Sequence, residues 1–329
     1  KAIKPDLPQD DFWSDRRAGQ AATSCSVRVF PDAINTTSMR STTQLDTYTY
    51  PQPTLSKSTS TTGSKFGRAQ IWIGTDNQGG KMQERTIDIQ TRDGDMNSFV
   101  FHPDRPGPHP VVILYMDSLG VREELCDMAR RIAGVGYYVL MPNLYYRLAR
   151  SVDLDGDRLH DPAYADGLAL MWKLNRHLTN TLIEQDTEAM FEFLDSEPQA
   201  RKGKLGVVGY CMSGRFVFRV AGAFPERVAA SASVYGARLM TDLPDSAHLL
   251  ADRIQGEMYF ACAQHDIYAS PETLVKLQQV IDLAKINASI EVYEEAHHGF
   301  AFHTRKSVYN KHATERHWER LFDLFRRKL

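Results

Sequence analysis

The strongest chemical signal in this chain is a short run, Gly209-Tyr210-Cys211-Met212-Ser213-Gly214. It follows an apolar stretch, Lys204 to Val208, and opens onto a helix-like stretch, Arg215 to Ala223. A nucleophile with small residues two positions to either side, between a strand and a helix, is the form of a nucleophile elbow. The turn is so tight that bulkier neighbours would collide. It holds the reactive side chain up at the sheet's edge, with the next backbone N–H, that of Met212, and the helix N-terminus facing a developing oxyanion. Here the nucleophile is a thiol, which attacks only as thiolate. A free cysteine, with a pKa of about 8.5, is mostly protonated at neutral pH, so Cys211 needs a base to activate it. Two later segments offer partners. Gln264-His265-Asp266 follows the apolar stretch 258–263, and Ala296-His297-His298-Gly299-Phe300 follows the stretch 289–293. Asp266 also stands where it could cap a helix starting at Pro271, but the distance to that helix favours an orienting acid. Either histidine of the pair could serve as base.

Positioning these groups requires strands that end at one edge. From Arg85 onward strand and helix patterns alternate. Residues 85–90 and 98–102 read as a hairpin about Arg92-Asp93-Gly94-Asp95. The run 111–116 is continuously apolar, as expected of a strand buried on both faces. Further strands are expected at 137–141, 205–208, 229–235, 258–263 and 289–293. Helical periodicity is expected over 122–133, 181–194, 271–284 and 312–329. Such alternation predicts an α/β fold with a mostly parallel sheet covered on both faces, and places all three candidates at the carboxyl ends of strands. Residues 148–180 read as an acidic excursion covering the mouth of the site, with Met171, Trp172 and Leu174 as apolar cover.

Composition narrows the function classes. The chain has 329 residues, 42% of them hydrophobic, with a net charge of −2, so no overall charge draws it to nucleic acid or to an anionic membrane. The basic residues near the C-terminus (Arg316, Arg320, Arg326, Arg327, Lys328) alternate with apolar ones at helical spacing and read as the solvated face of a docked amphipathic helix. The four cysteines, Cys25, Cys126, Cys211 and Cys262, are widely spaced and form neither a zinc pattern nor a disulfide framework. Cys126 and Cys262 stand in apolar runs and read as buried core. The segment Asp153 to Asp157 lacks the glycine position and terminal glutamate of an EF-hand. No metal or cofactor is expected, and a reducing cytoplasm suits a chain that needs a free thiol. Between Asn35 and Ser64 more than half the residues are Ser or Thr. Residues 1–80 are therefore expected to be a disordered or loosely packed extension, and residues 82–329 a single catalytic domain.

The ordered motifs resemble the dienelactone hydrolase family from about Arg85 to the C-terminus. The resemblance rests on Gly-Tyr-Cys-Met at 209–212, Gln-His-Asp at 264–266, His-Gly-Phe-Ala at 298–301, Pro142-Asn143-Leu144-Tyr145-Tyr146-Arg147, and Asp117-Ser118-Leu119-Gly120. It implies an α/β-hydrolase fold with Cys211 as nucleophile, Asp266 as orienting acid and His298 as base, since His298 directly precedes Gly299-Phe300. It also implies oxyanion donors at the backbone N–H groups of Met212 and Ser118. The reaction so implied is hydrolysis of a small carboxylic ester or lactone through a cysteinyl acyl-enzyme, with that small molecule as the partner. A thioesterase or peptidase on the same scaffold, or a ligand-binding or redox-sensing member that has lost turnover, are the rival readings.

Three positions depart from the family's pattern. Ser213 stands where the family usually has glycine. Asp117 replaces a loop glutamate able to pair with the thiol, and so reads either as a shorter thiol partner or as a carboxylate that stabilises its own loop. Phe302 occupies the position of an arginine that holds the substrate carboxylate, with Arg305 nearby but out of register. Phe302 is thus expected in the substrate pocket, and a less charged substrate is expected. Tyr145 and Arg147 read either as pocket residues or as packing and an ion pair.

Overall fold

The computed structural model describes residues 70–75, 81–159 and 161–329. A nine-stranded sheet runs through them: β1 (Gln70–Thr75), β2 (Lys81–Thr91), β3 (Gly94–Pro103), β4 (Val111–Tyr115), β5 (Tyr138–Pro142), β6 (Leu205–Tyr210), β7 (Val228–Val234), β8 (Glu257–His265) and β9 (Ala288–His297). Their order across the sheet is β1-β2-β3-β5-β4-β6-β7-β8-β9. The first three are antiparallel to their neighbours, and the other six run parallel. The expected hairpin closes through Arg92-Asp93, with Gly94 at φ 121° and the Thr91 hydroxyl donating to the Gly94 carbonyl. β1 lies within the stretch expected to be extension and instead pairs with β2 from Gln70 opposite Thr86 to Thr75 opposite Lys81. The rest of the expected extension lies outside the described residues.

The parallel strands β4, β5, β6 and β7 are buried at every residue, which their unbroken apolar and small side chains require once helices cover both faces. The helices are α1 (Glu123–Gly134), α2 (Ala165–His177), α3 (Asn180–Ser196), α4 (Gly214–Ala223), α5 (Pro271–Ala284) and α6 (Lys311–Lys328). On α1, Leu125, Met128, Ala129, Ile132 and Ala133 are buried, three and four residues apart, so one stripe faces the sheet. Start signals are met by capping side chains: Thr179 accepts from Leu182 N–H, Ser270 from Thr273 N–H, and Asn310 from Ala313 N–H. Helix α2 falls inside the excursion read as cover. Its Met171 and Leu174 are buried, whereas Trp172 is exposed on the outer face. Among the described residues no helix is long and apolar enough to cross a membrane.

The chain leaves β4 through α1 toward β5 on one side and later returns as β6 on the other. The sheet therefore reverses its winding between β4 and β6, and the crevice beyond their carboxyl ends is where such sheets bind ligands.

Helix α6 secures this edge from behind. His317, with no exposed surface, donates from Nδ1 to the Thr314 carbonyl at 2.5 Å, so its Nε2 is an acceptor for the Tyr210 hydroxyl at 3.2 Å. Tyr210 is the residue before Cys211. Burial holds the His317 pKa down at about 3. Because that lies below the unfolded value of about 6.5, the stability contributed by neutral His317 is whole above pH 6.5 and is lost as pH falls toward 3. Urea denaturation between pH 7.5 and 5 should show stability dropping with acid, and dropping less in His317→Gln, which has no proton to take up. Equal drops in both proteins would place the acid sensitivity elsewhere.

Candidate active site

Cys211 stands at the end of β6 with φ 55°, a left-handed conformation that costs a side-chain-bearing residue about 1–2 kcal/mol. A single 3-10 turn, Cys211–Ser213, then feeds directly into α4. The small residues around it are steric necessities. A Cβ on Gly209 would approach the Ser213 carbonyl oxygen to 2.6 Å, and one on Gly214 would run into the backbone of Gly236. Ser213 has a use that glycine could not supply: its buried hydroxyl donates to the Met116 carbonyl, fastening the end of β4 to the turn. The Met212 N–H, at the start of the turn, is one of the donors that helix geometry leaves without an internal acceptor. Across the crevice, the Ser118 hydroxyl lies 3.6 Å from Cys211 Sγ. Ser118 N–H donates to no other group among the described residues.

Asp266 and His298 arrive from β8 and β9. His298 Nδ1 donates to Asp266 Oδ2 at 2.9 Å, and Asp266 Oδ1 accepts Tyr268 N–H at 2.8 Å. With Nδ1 so engaged, Nε2 is the nitrogen left to deal with the thiol. It is buried and makes no hydrogen bond of good geometry. Tyr235 and Tyr268 hold the imidazole edge-on, their ring centroids 5.1 and 4.7 Å away. Ionisation of thiol and imidazole is mutual. Burial pushes the Cys211 thiol up, but the neighbouring His298 imidazolium outweighs it, and the net displacement is downward. Burial pulls His298 down, and the thiolate together with Asp266 outweighs that, so its pKa rises. The arrangement favours a thiolate–imidazolium pair. By contrast, burial pushes Cys126 and Cys262 up to about 12. Cys126, expected in the core, is only partly buried and packs against the core from α1. His297 stays outside the site, exposed beside His265 at a ring separation of 4.9 Å.

The expected pocket residues are placed differently. Asp117 is buried and accepts from Leu119 N–H at 3.0 Å and from Arg122 at 2.6 and 3.1 Å. Its carboxylate is thus occupied in its own loop, and it acts on the thiol only through space, opposing ionisation. Arg122 also binds Glu124 at 3.0 Å and lies 4.5 Å over the Phe302 ring. Phe302 does not line a pocket. The chain turns tightly after His298, Phe302 N–H donating to the Gly299 carbonyl, and this drives the ring into the core beside Tyr210 and Tyr235. Arg147 is likewise occupied, binding Asp186 through two hydrogen bonds and Asp93 through a third. Tyr145 is fully buried behind Ser118. A cavity of about 490 Å³ lined by Arg85, His102 and Glu197 lies elsewhere, by the start of β5, and holds none of these groups.

Two further groups stand at the site, of which the sequence points to Arg305 but not to Tyr235. Tyr235 has φ 36°, no exposed surface, and a hydroxyl without a hydrogen-bond partner among the described residues. Arg305 makes no ion pair there. Its guanidinium lies over Gly299, close enough to Tyr235 and Tyr268 to stabilise negative charge on either. The position of Tyr235-Gly236 after β7 was the available signal, since it is another strand end on the catalytic edge.

Comparison with known proteins agrees with this architecture. A profile described as the dienelactone hydrolase family matches residues 96–329. A protein of Synechocystis sp., provisionally named carboxymethylenebutenolidase, is 26% identical over 254 residues, covering 74% of this chain and 99% of its own. A similarly named protein of Methylorubrum extorquens is 27% identical over 262 residues, covering 78% and 85%. Among solved structures, a provisionally assigned dienelactone hydrolase of Klebsiella pneumoniae superposes with a TM-score of 0.65 at 22% identity, over 74% of this chain and 98% of that one. The fold is that of the α/β-hydrolases, and the chain belongs to the dienelactone hydrolase family.

Proposed function

We propose that this hydrolase cleaves a small carboxylic ester or lactone through a cysteinyl acyl-enzyme. The observation that carries the reading is the line Asp266–His298–Cys211 at the elbow, with the imidazole fixed on one side and its free nitrogen left to the thiol. Cys211 thiolate adds to the substrate carbonyl, and the oxyanion that forms is held by Met212 N–H and Ser118 N–H. Loss of one such donor typically costs about 3–4 kcal/mol of transition-state stabilisation. As the tetrahedral intermediate collapses, the carbon–oxygen bond to the alcohol breaks and His298 Nε2 gives its proton to the departing oxygen. Neutral His298 then takes a proton from water, the hydroxide adds to the thioester, and collapse expels the thiolate with the acid as product. Asp266 stays ionised throughout and steadies the imidazolium.

The substrate's charge is read from the guanidiniums. Arg122 and Arg147 are each bound by two carboxylates, whereas Arg305, whose guanidinium lies over Gly299, forms no ion pair among the described residues. An acidic group on the substrate would find its counter-charge there.

Two outcomes test the proposal. The rate of Cys211 alkylation by iodoacetamide should remain high below pH 8.5 and fall only as the thiol titrates at its lowered pKa. In His298→Gln the inflection should move upward, toward or beyond that of a free cysteine, with ester turnover reduced at least 100-fold, the order expected for losing a general acid–base. An unchanged inflection would separate His298 from the thiol. Arg305→Gln should lower kcat/KM for an ester bearing a carboxylate about tenfold while changing that for a neutral p-nitrophenyl ester less than twofold, in keeping with the strength of a charge-assisted hydrogen bond. Equal losses on both substrates would remove Arg305 from substrate recognition.

A further inference from the structure

The Tyr145 hydroxyl meets more acceptors than it has protons. It lies 3.0 Å from the Ser118 carbonyl, 2.5 Å from Asn175 Oδ1 and 3.9 Å from Met212 Sδ. The residue is 1% exposed, so bulk water cannot make up the difference. A phenol has one proton to give, and a buried acceptor left short costs about 1–3 kcal/mol. A half-turn of the Asn175 amide resolves this, because its oxygen and nitrogen are nearly the same shape. Nδ2 then donates to Tyr145 Oη, and Tyr145 donates to the Ser118 carbonyl. Burial, with Asp117 and Cys211 adding to it, pushes the phenol pKa up, so Tyr145 keeps its proton.

The peptide units at the ends of this chain of bonds matter for catalysis. The Ser118 N–H belongs to the peptide whose carbonyl, that of Asp117, accepts Gly120 N–H at 3.1 Å. The next peptide, carrying the Ser118 carbonyl, is the one Tyr145 holds. The two bonds together fix the planes on either side of Ser118 Cα. At the other end, Asn175 sits in the last turn of α2. The carbonyl of Leu178, which ends that helix, accepts from Arg215 on α4 at 3.1 Å.

We propose that Asn175 and Tyr145 are a positioning pair, a two-hydrogen-bond relay through which the seating of α2 sets the orientation of the Ser118 peptide in the oxyanion hole. The proposal rests on the acyl-enzyme reading above, in which Ser118 N–H is an oxyanion donor. A shift of α2 moves Asn175, and the relay converts that movement into donor alignment. Its contribution appears only when charge develops on the carbonyl oxygen, and so falls on kcat rather than on binding.

The test compares the unaltered chain with Tyr145→Phe, Asn175→Leu and the double variant. The readouts are p-nitrophenyl ester turnover and, separately, the rate of Cys211 alkylation, which needs the thiolate but no oxyanion hole. Each single variant should lose about tenfold in kcat with KM within twofold, since small misplacements of catalytic groups cost up to 100-fold. The double variant should be no worse than the poorer single one, and alkylation should be unchanged throughout. Asn175 is only partly buried at a helix end, so Asn175→Leu carries the test if Tyr145→Phe folds poorly. A kcat within twofold of the original, losses that multiply in the double variant, or alkylation that slows in step with turnover would each overturn the relay. If the unaltered chain turns over no ester at all, it is the acyl-enzyme reading that fails.

Discussion

The left-handed backbone at Cys211 is the constraint around which this edge of the molecule is organised. A residue with a side chain holds φ 55° only where the surroundings leave it no alternative, at a cost of about 1–3 kcal/mol. Here the surroundings are the middle of a parallel sheet. β6 is paired on both sides, by β4 and β7, so the strand cannot shift to relax the turn. The Cys211 carbonyl is held by Ala237 N–H at 2.9 Å, the Ser213 hydroxyl grips the end of β4, and Tyr210 is tied to His317 on α6. Each tie uses the neighbour of a reactive group to fix the reactive group itself. The thiol is thereby held at the mouth of the switch point, where the Ser118 loop arrives from β4 on the other side.

Holding a thiolate in that place is an electrostatic problem, and the solution is local. Burial alone would keep the thiol protonated, as it does at Cys126 and Cys262. The opposing charge is that of one imidazole, whose protonation is favoured by the thiolate itself and by Asp266, a buried carboxylate whose other oxygen is taken by a backbone N–H. Several of the charged groups nearby are paired with one another. Asp117, Arg122 and Glu124 form a chain that continues to Thr304, whose N–H and hydroxyl both donate to Glu124 at 2.8 Å. This chain joins the loop after β4 to the loop after β9, so it aligns the Ser118 side of the crevice with the His298 side. Desolvated ion pairs of this kind add little net stability but fix geometry when every lone pair is used.

Much of this was legible in the sequence because the decisive features are local and periodic. Unbroken apolar runs marked the buried strands, and the small residues about Cys211 marked the turn. The order of Cys211, Asp266 and His298 puts them at three strand ends, those of β6, β8 and β9. What could not be read was the partner of each charged side chain. The sequence leaves Asp117 open between a thiol partner and a carboxylate of its own loop and puts Phe302 in the pocket, and both depend on Arg122, whose guanidinium engages the carboxylate and covers the ring. Arg147 is ambiguous for the same reason, since its partner, Asp186, lies 39 residues away. Helix α2 was read only as cover because its apolar side is narrow, with Met171 and Leu174 the only residues of it that are buried. The stretch Gln70–Thr75 shows the reverse error. Composition argued against order there, yet an unpaired strand edge on β2 supplies the backbone partners that composition cannot foresee.

The substitution at Asp117 has a mechanistic consequence. A loop carboxylate able to reach the thiol would hold it protonated in the free enzyme and release it when substrate arrives. In this chain the shorter side chain is turned to Arg122 and the backbone of its own loop, and Ser118, a neutral hydroxyl, is the group that meets Sγ. A hydroxyl can donate to a thiolate and stabilise it. Ionisation of the Cys211 thiol is therefore favoured by His298 and opposed by Asp117 only through space, and no carboxylate touches Sγ to hold its proton. The loop carrying Ser118 is held at Met116 by Ser213, at Asp117 by Arg122 and at Ser118 by Tyr145. Of these three anchors, Tyr145 is the one tied through Asn175 to α2, in the long crossover between β5 and β6.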